Sequence, residues 1–219
     1  LFPKEGGGIM LTERWNCFAS GFSAKTETVR AMFAVIESSY GSANRYYHTM
    51  GHVQQCLAQL DEAFGEVNNR EAVEMALWLH DIIYIPESSC NEELSSAIGF
   101  CYGLELSGSY PFAIEVRQLI QATAHGSGDC KSAVDKAVVQ DIDLSILGAD
   151  SFSFACYETA IRKEYACVPD DVYRKGRIQV LQGFLMRPQI YQTQFFLSRY
   201  EAQARENIST LIDSLTGSY

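Results

Sequence analysis

Four histidines are spread through the 219 residues, and each sits where it could do chemistry. In Arg45-Tyr46-Tyr47-His48-Thr49-Met50-Gly51-His52 two imidazoles stand four residues apart. On a helix such a pair differs by about 40° in azimuth and looks into one site. His80-Asp81 lies between Trp78-Leu79 and Ile82-Ile83-Tyr84, in an otherwise apolar stretch, and His125 follows Ala122-Thr123-Ala124. Asp141 and Asp143 interrupt a second apolar run, Val138-Val139-Gln140-Asp141-Ile142-Asp143-Leu144.

His80 shares a helical face with Val73, Leu77 and Tyr84, where that helix must meet the core. Burying an imidazole beside a carboxylate there is costly unless the two are paired or hold a cation. Asp141 and Asp143 pose the same question, with helix capping as the plainer alternative. A divalent ion taking mixed nitrogen and oxygen ligands answers all of these at once. Mn, Fe, Co, Ni, Zn or Mg would each suit two imidazoles and two carboxylates, as one ion or two.

The elements that must carry these residues read as helices throughout. Apolar residues recur at three-and-four spacing over about 25–39, 47–64, 70–84, 91–106, 112–124, 131–141, 151–166, 170–186 and 193–215. Nothing of comparable length alternates with period two, and Ile82-Ile83-Tyr84-Ile85 reads as the last turn of a helix stopped by Pro86. The expectation is an all-α fold, a single domain over 10–219 with about nine helices, preceded by a flexible leader over 1–9 with Met10 as the natural start.

Composition narrows the function. A formal net charge of −10 argues against a nucleic-acid polymer as partner. It leaves room for a small phosphorylated molecule, because one cation reverses the field locally. Seven widely spaced cysteines without a CxxC pair read as reduced thiols in a cytoplasmic protein. No run approaches the roughly 18 apolar residues of a membrane span. The oligomeric state is left open, a homodimer included.

These residues together resemble the HD-domain superfamily of metal-dependent phosphohydrolases, and more closely its small bacterial subgroup. The order of a His, a His-Asp pair and a distant Asp is met by His52 (or His48), His80-Asp81 and Asp143. Subgroup-like stretches extend over most of the chain. They include Arg45-Tyr46-Tyr47-His48, His80-Asp81-Ile82-Ile83-Tyr84, Asn91-Glu92, Asp141-Ile142-Asp143-Leu144-Ser145-Ile146-Leu147-Gly148, Ile161-Arg162-Lys163-Glu164-Tyr165 and Gly176-Arg177. The resemblance implies a helical bundle around a divalent cation and hydrolysis of a phosphate ester, with a nucleotide-like small molecule as substrate.

Tyr47-His48-xxx-His52 and Asp143-Leu144-Ser145 are also similar to the cyclic-nucleotide phosphodiesterases. That likeness implies His48 as proton donor, with His52, His80, Asp81 and Asp143 as ligands. An Arg-x-x-His pattern in other HD proteins would instead make His48 the ligand, and Asp141 competes with Asp143 for the last position. Arg45 is a candidate phosphate clamp one helical turn before His48, and Glu92 a candidate general base or outer hydrogen-bond partner. His125 is expected to contact phosphate or a second metal. Arg162, Lys175 and Arg177 are candidates for the mouth of the site, with a solvated or structural role as the alternative. Two other classes compete: a di-iron oxygenase, in which His48 and His125 both bind metal, and a non-catalytic nucleotide-binding sensor.

Overall fold

The computed structural model describes residues 7–124 and 134–217, with residues 7–10 and 64 described by backbone alone. Among the described residues there are ten α-helices and no strand. None of these helices is long and apolar enough to cross a membrane. The chain forms two compact units, Leu1–Val139 and Gln140–Tyr219, whose boundary falls inside one helix.

The first unit holds α1 (Gly7–Ala19), α2 (Thr26–Tyr40), α3 (Met50–Glu62), α4 (Arg70–Leu79), α5 (Asn91–Ser107), α6 (Tyr110–Ala122) and the start of α7 (Val134–Asp143). Its centre is α4, in which every residue from Ala72 to Leu79 is buried. A helix apolar on nearly every face belongs inside a core, with no solvent side to show. The one charge there, Glu74, is balanced by Arg14, whose Nε donates to it at 2.9 Å. Trp78 packs edge-on against Trp15 of α1, ring centroids 5.5 Å apart, and the Trp15 indole N–H donates to the carbonyl of Val29. α2 presents Val29, Met32, Phe33, Ile36 and Tyr40 to this core, the three-and-four stripe its sequence displays.

α5 lies against α6 at close range because it carries Gly99 and Gly103. A Cβ at Gly99 would stand 2.3 Å from Ile120 Cδ1, and one at Gly103 would stand 3.0 Å from Ala113 Cα. This approach decides where the first turn of α5 sits, and that turn reaches the site described below.

The second unit holds the end of α7, a 3₁₀ turn over Leu144–Gly148, α8 (Ser151–Glu164), α9 (Asp170–Leu185) and α10 (Gln194–Thr216). Gly148 lies against α10 so closely that a Cβ there would be 2.6 Å from the carbonyl oxygen of Tyr200. Asn207 donates to the carbonyls of Leu147 and Ala149, tying the same turn down. Asp141 is fully buried, and its carboxylate accepts from the Gln192 and Thr193 amides and the Thr193 hydroxyl, which organises the entry to α10. Burial pushes its carboxyl up to about 6, against those donors, which pull the other way.

The all-α expectation is met, with differences at particular ends. The helix beyond the expected nine is α1, reaching back into the segment read as a leader. α3 starts at Met50 and not near 47, because the Thr49 hydroxyl accepts from the Gly51 amide and caps it there. α4 stops at Leu79, well before Pro86. Replacing Asp141 by Ala should lower stability in urea unfolding by about 1–2 kcal/mol, since two backbone amides and the Thr193 hydroxyl lose their acceptor. A change below about 0.5 kcal/mol would mean that the carboxylate does not hold the start of α10.

Candidate metal centre

α4 ends because side chains take over its hydrogen bonds. In a continued helix the Asp81 amide would donate to the Leu77 carbonyl. Here His80 Nδ1 stands 3.1 Å from that carbonyl and takes it, while the Asp81 amide donates to the Tyr40 hydroxyl at 3.2 Å. Burial, and then the nearby Asp81 charge, pushes the Tyr40 hydroxyl well above its ordinary range, so it keeps its proton.

Beyond this point the Ile82 amide still donates to the Leu79 carbonyl, and side chains hold much of the remaining backbone. The Ile83 amide donates to Ser95 Oγ, and the Ile85 amide to Asn91 Oδ1. Asn91 Nδ2 returns a bond to the Ile85 carbonyl at 2.9 Å. The Arg45 guanidinium donates to the carbonyls of Asp81 at 2.6 Å, Ile82 at 2.9 Å and His48 at 3.2 Å. Its plane also lies over the rings of Tyr40 and Tyr84. Asn91 and Ser95 come from the first turns of α5, so two segments far apart in sequence fix one short stretch of chain.

Three donor atoms converge where this stretch meets α3. His52 and His80 are 3 % and 1 % exposed, and their Nε2 atoms are 3.0 Å apart. Asp81 Oδ2 lies 3.0 Å from His80 Nε2 and 3.6 Å from His52 Nε2. A carbonyl can only accept, so the bond to Leu77 places a proton on His80 Nδ1 and leaves Nε2 with its lone pair in the neutral ring. A lone pair facing a carboxylate oxygen at that range is repulsive unless a proton or a cation lies between them. The helix ends add to this: Asp81 stands just past the C-terminus of α4, the end that favours positive charge, and His52 lies in the first turn of α3.

The spacing suits a metal. Bonds of about 2.1 Å put neighbouring donors about 3.0–3.5 Å apart on an octahedral or tetrahedral ion. The three residues lie within mutual ligand reach.

The remaining candidates divide. His48 is not on one helix with His52; it lies in the bend before the Thr49 cap, its ring stacked on Tyr84 at 3.9 Å. Its Nε2 is 4.0 Å from Asp81 Oδ2, at the edge of the donor cluster. Arg45 is likewise outside any helix, and the carbonyls it binds make it a strap on the ligand-bearing segment. Glu92 is half-buried in the first turn of α5 and makes no hydrogen bond to the cluster. His125 lies outside the described residues.

In the second unit, Asp141 is committed to the entry of α10, whereas Asp143 ends α7 half-buried. Burial pushes the Tyr157 hydroxyl up, with smaller upward contributions from Glu158 and Asp143 and a downward one from Arg177. Arg177 pairs with Glu158 and donates to Tyr157. Arg162 holds Asp170 and the carbonyls of Tyr165 and Val168, and Lys175 is exposed beside Asp171. The two arginines therefore have structural work within their own unit.

Sequence reasoning assigned no role to Tyr40 or Ser95, although Tyr40 closes the apolar stripe of α2, where a hydroxyl needs a reason. Compared with known proteins, the chain matches no family model, no curated protein and no solved structure.

Asn91→Ala should cost about 1–2 kcal/mol, because it removes the acceptor of the Ile85 amide and one of the two donors to the Ile85 carbonyl. Amide hydrogen exchange at Ile85 should accelerate with it while the α4 amides stay protected. Unchanged exchange at Ile85 would show that Asn91 does not hold this segment.

Proposed function

We propose that this protein is an HD-type, metal-dependent phosphohydrolase acting on a small phosphorylated molecule, most simply a nucleotide-like phosphate ester. The reading rests on one observation above others: two buried Nε2 atoms and a carboxylate oxygen converge at 3.0–3.6 Å, the spacing of donors around one ion. His52, His80 and Asp81 would hold the ion. The sequence order offers Asp143 as a further ligand, and the capping duty of Asp141 favours Asp143 over it.

A divalent ion bound here would supply a water acidic enough to give hydroxide at neutral pH and would draw off charge on the phosphoryl oxygens. The chain's own residues do the rest. Asp81, with 15 % of its side chain accessible, would accept a hydrogen bond from that water and orient it. His48, equally near the surface at 16 %, stands where it can protonate a leaving oxygen while Tyr84 fixes its ring plane. Its place at the edge of the cluster supports this donor role over the ligand role a di-iron oxygenase would ask of it. Arg45 is read as a positioning residue and not as a phosphate clamp, because its N–H groups already serve three carbonyls. With a net charge of −10 the surface repels polyanions, so attraction of substrate falls to the ion and favours small esters.

Elemental analysis of the purified protein, with phosphomonoester and phosphodiester substrates tried across divalent ions, tests the reading. His80→Ala and Asp81→Ala should each lose bound metal and turnover together. His48→Ala should keep its metal and lose about 10²–10⁴ in kcat. Full metal content in both ligand variants, or no turnover by the metal-loaded wild type on any substrate, would overturn it. Two metals per chain would bring in His125; one leaves it without a ligand role.

A further inference from the structure

Cys56 follows His52 by one turn of α3 and is buried at 2 % exposure. Its Sγ lies 3.7 Å from His52 Nε2 and 3.8 Å from Nδ1. With metal bonds of about 2.3 Å to sulfur and 2.0–2.1 Å to nitrogen, a tetrahedral ion sets the two donors about 3.5 Å apart. Cys56 joins His52 and His80 in a ligand group of its own, all three residues buried, and Asp81 is not a member of it. The two imidazoles are thus shared between a carboxylate side and a sulfur side. The donor sets differ in kind: nitrogen with carboxylate suits harder ions with bound water, nitrogen with thiolate suits softer ones.

We propose that Cys56 is a metal ligand in a second binding mode, in which a thiophilic divalent ion such as zinc, cobalt or cadmium is held by His52, His80 and Cys56. The proposal rests on the reading of His52 and His80 as ligands. On binding, the Cys56 S–H bond breaks, its proton passes to solvent, and the sulfur lone pair forms the bond to the ion; no electron is transferred. An ion held this way would take up both imidazoles through a group to which Asp81 does not belong. Cys56 thereby becomes the residue that decides which cation the protein retains.

The test is a Co(II) titration of metal-free full-length protein, read by absorption, with Cd(II) and Mn(II) affinities measured beside it. Wild type should show a near-ultraviolet sulfur-to-cobalt charge-transfer band, absent from Cys56→Ala and from the nearly isosteric Cys56→Ser, each checked for folding by circular dichroism. The preference for cadmium over manganese should fall at least about tenfold in both variants. Visible d–d bands without a charge-transfer band in wild type would overturn the sulfur mode and leave the nitrogen and oxygen site standing. A charge-transfer band that survives in both variants assigns the sulfur to another thiol, such as exposed Cys17, Cys90, Cys101 or Cys167, and overturns it too. Failure of wild type to bind cobalt at all would overturn both this proposal and the site it rests on.

Discussion

The His80 imidazole takes the Leu77 carbonyl, and much of the first unit is arranged around that exchange. It ends α4, directs Nε2 away from the helix, and frees the Asp81 amide for Tyr40. Once the helical ladder is abandoned inside the protein, every following N–H and C=O needs another partner, because an unpaired buried peptide group costs about as much as a lost hydrogen bond. Tyr40, Arg45, Asn91 and Ser95 meet much of that need, and in doing so they hold the segment that carries Asp81. Support and chemistry are therefore the same contacts seen from two sides.

How far the sequence foretold this depends on the range of the forces involved. The burial of α4 was legible, because its apolar residues cover most of the helix surface and admit one interpretation. The polar pair at its end was legible as something needing compensation. The end of α4 was not: Pro86 is a local signal, while the groups that stop the helix earlier are the His80 ring and the Tyr40 hydroxyl from α2. His48 and His52 at four-residue spacing suggested one helix, and the nearer signal, Thr49 as a cap between them, outweighs it. α1 escaped notice although Trp15, with Leu11 and Ala19, lies on a buried face.

Asp141 and Asp143 show the same limit from another direction. Two carboxylates in one apolar run look alike on paper. Asp141 turns out to be a cap for backbone 51 and 52 residues later in sequence, and no local pattern announces such a partner. Arg162 and Arg177 are comparable: candidates for a charged mouth as a sequence, they are bound within their own unit to Asp170 and Glu158.

The glycine stripe of α5 carries a further consequence. α5 is one rigid rod from Asn91 to Ser107, and its seating on α6 depends on the missing side chains at Gly99 and Gly103. The same rod delivers Asn91 and Ser95 to the segment that carries Asp81. A methyl group at Gly103 would press on the Ala113 backbone and shift the rod, and the displacement would reach the Asp81 segment through Ile83 and Ile85. The mutational footprint of the candidate metal centre is accordingly larger than the residues that converge in it, and a glycine of α5 that touches none of them belongs to it.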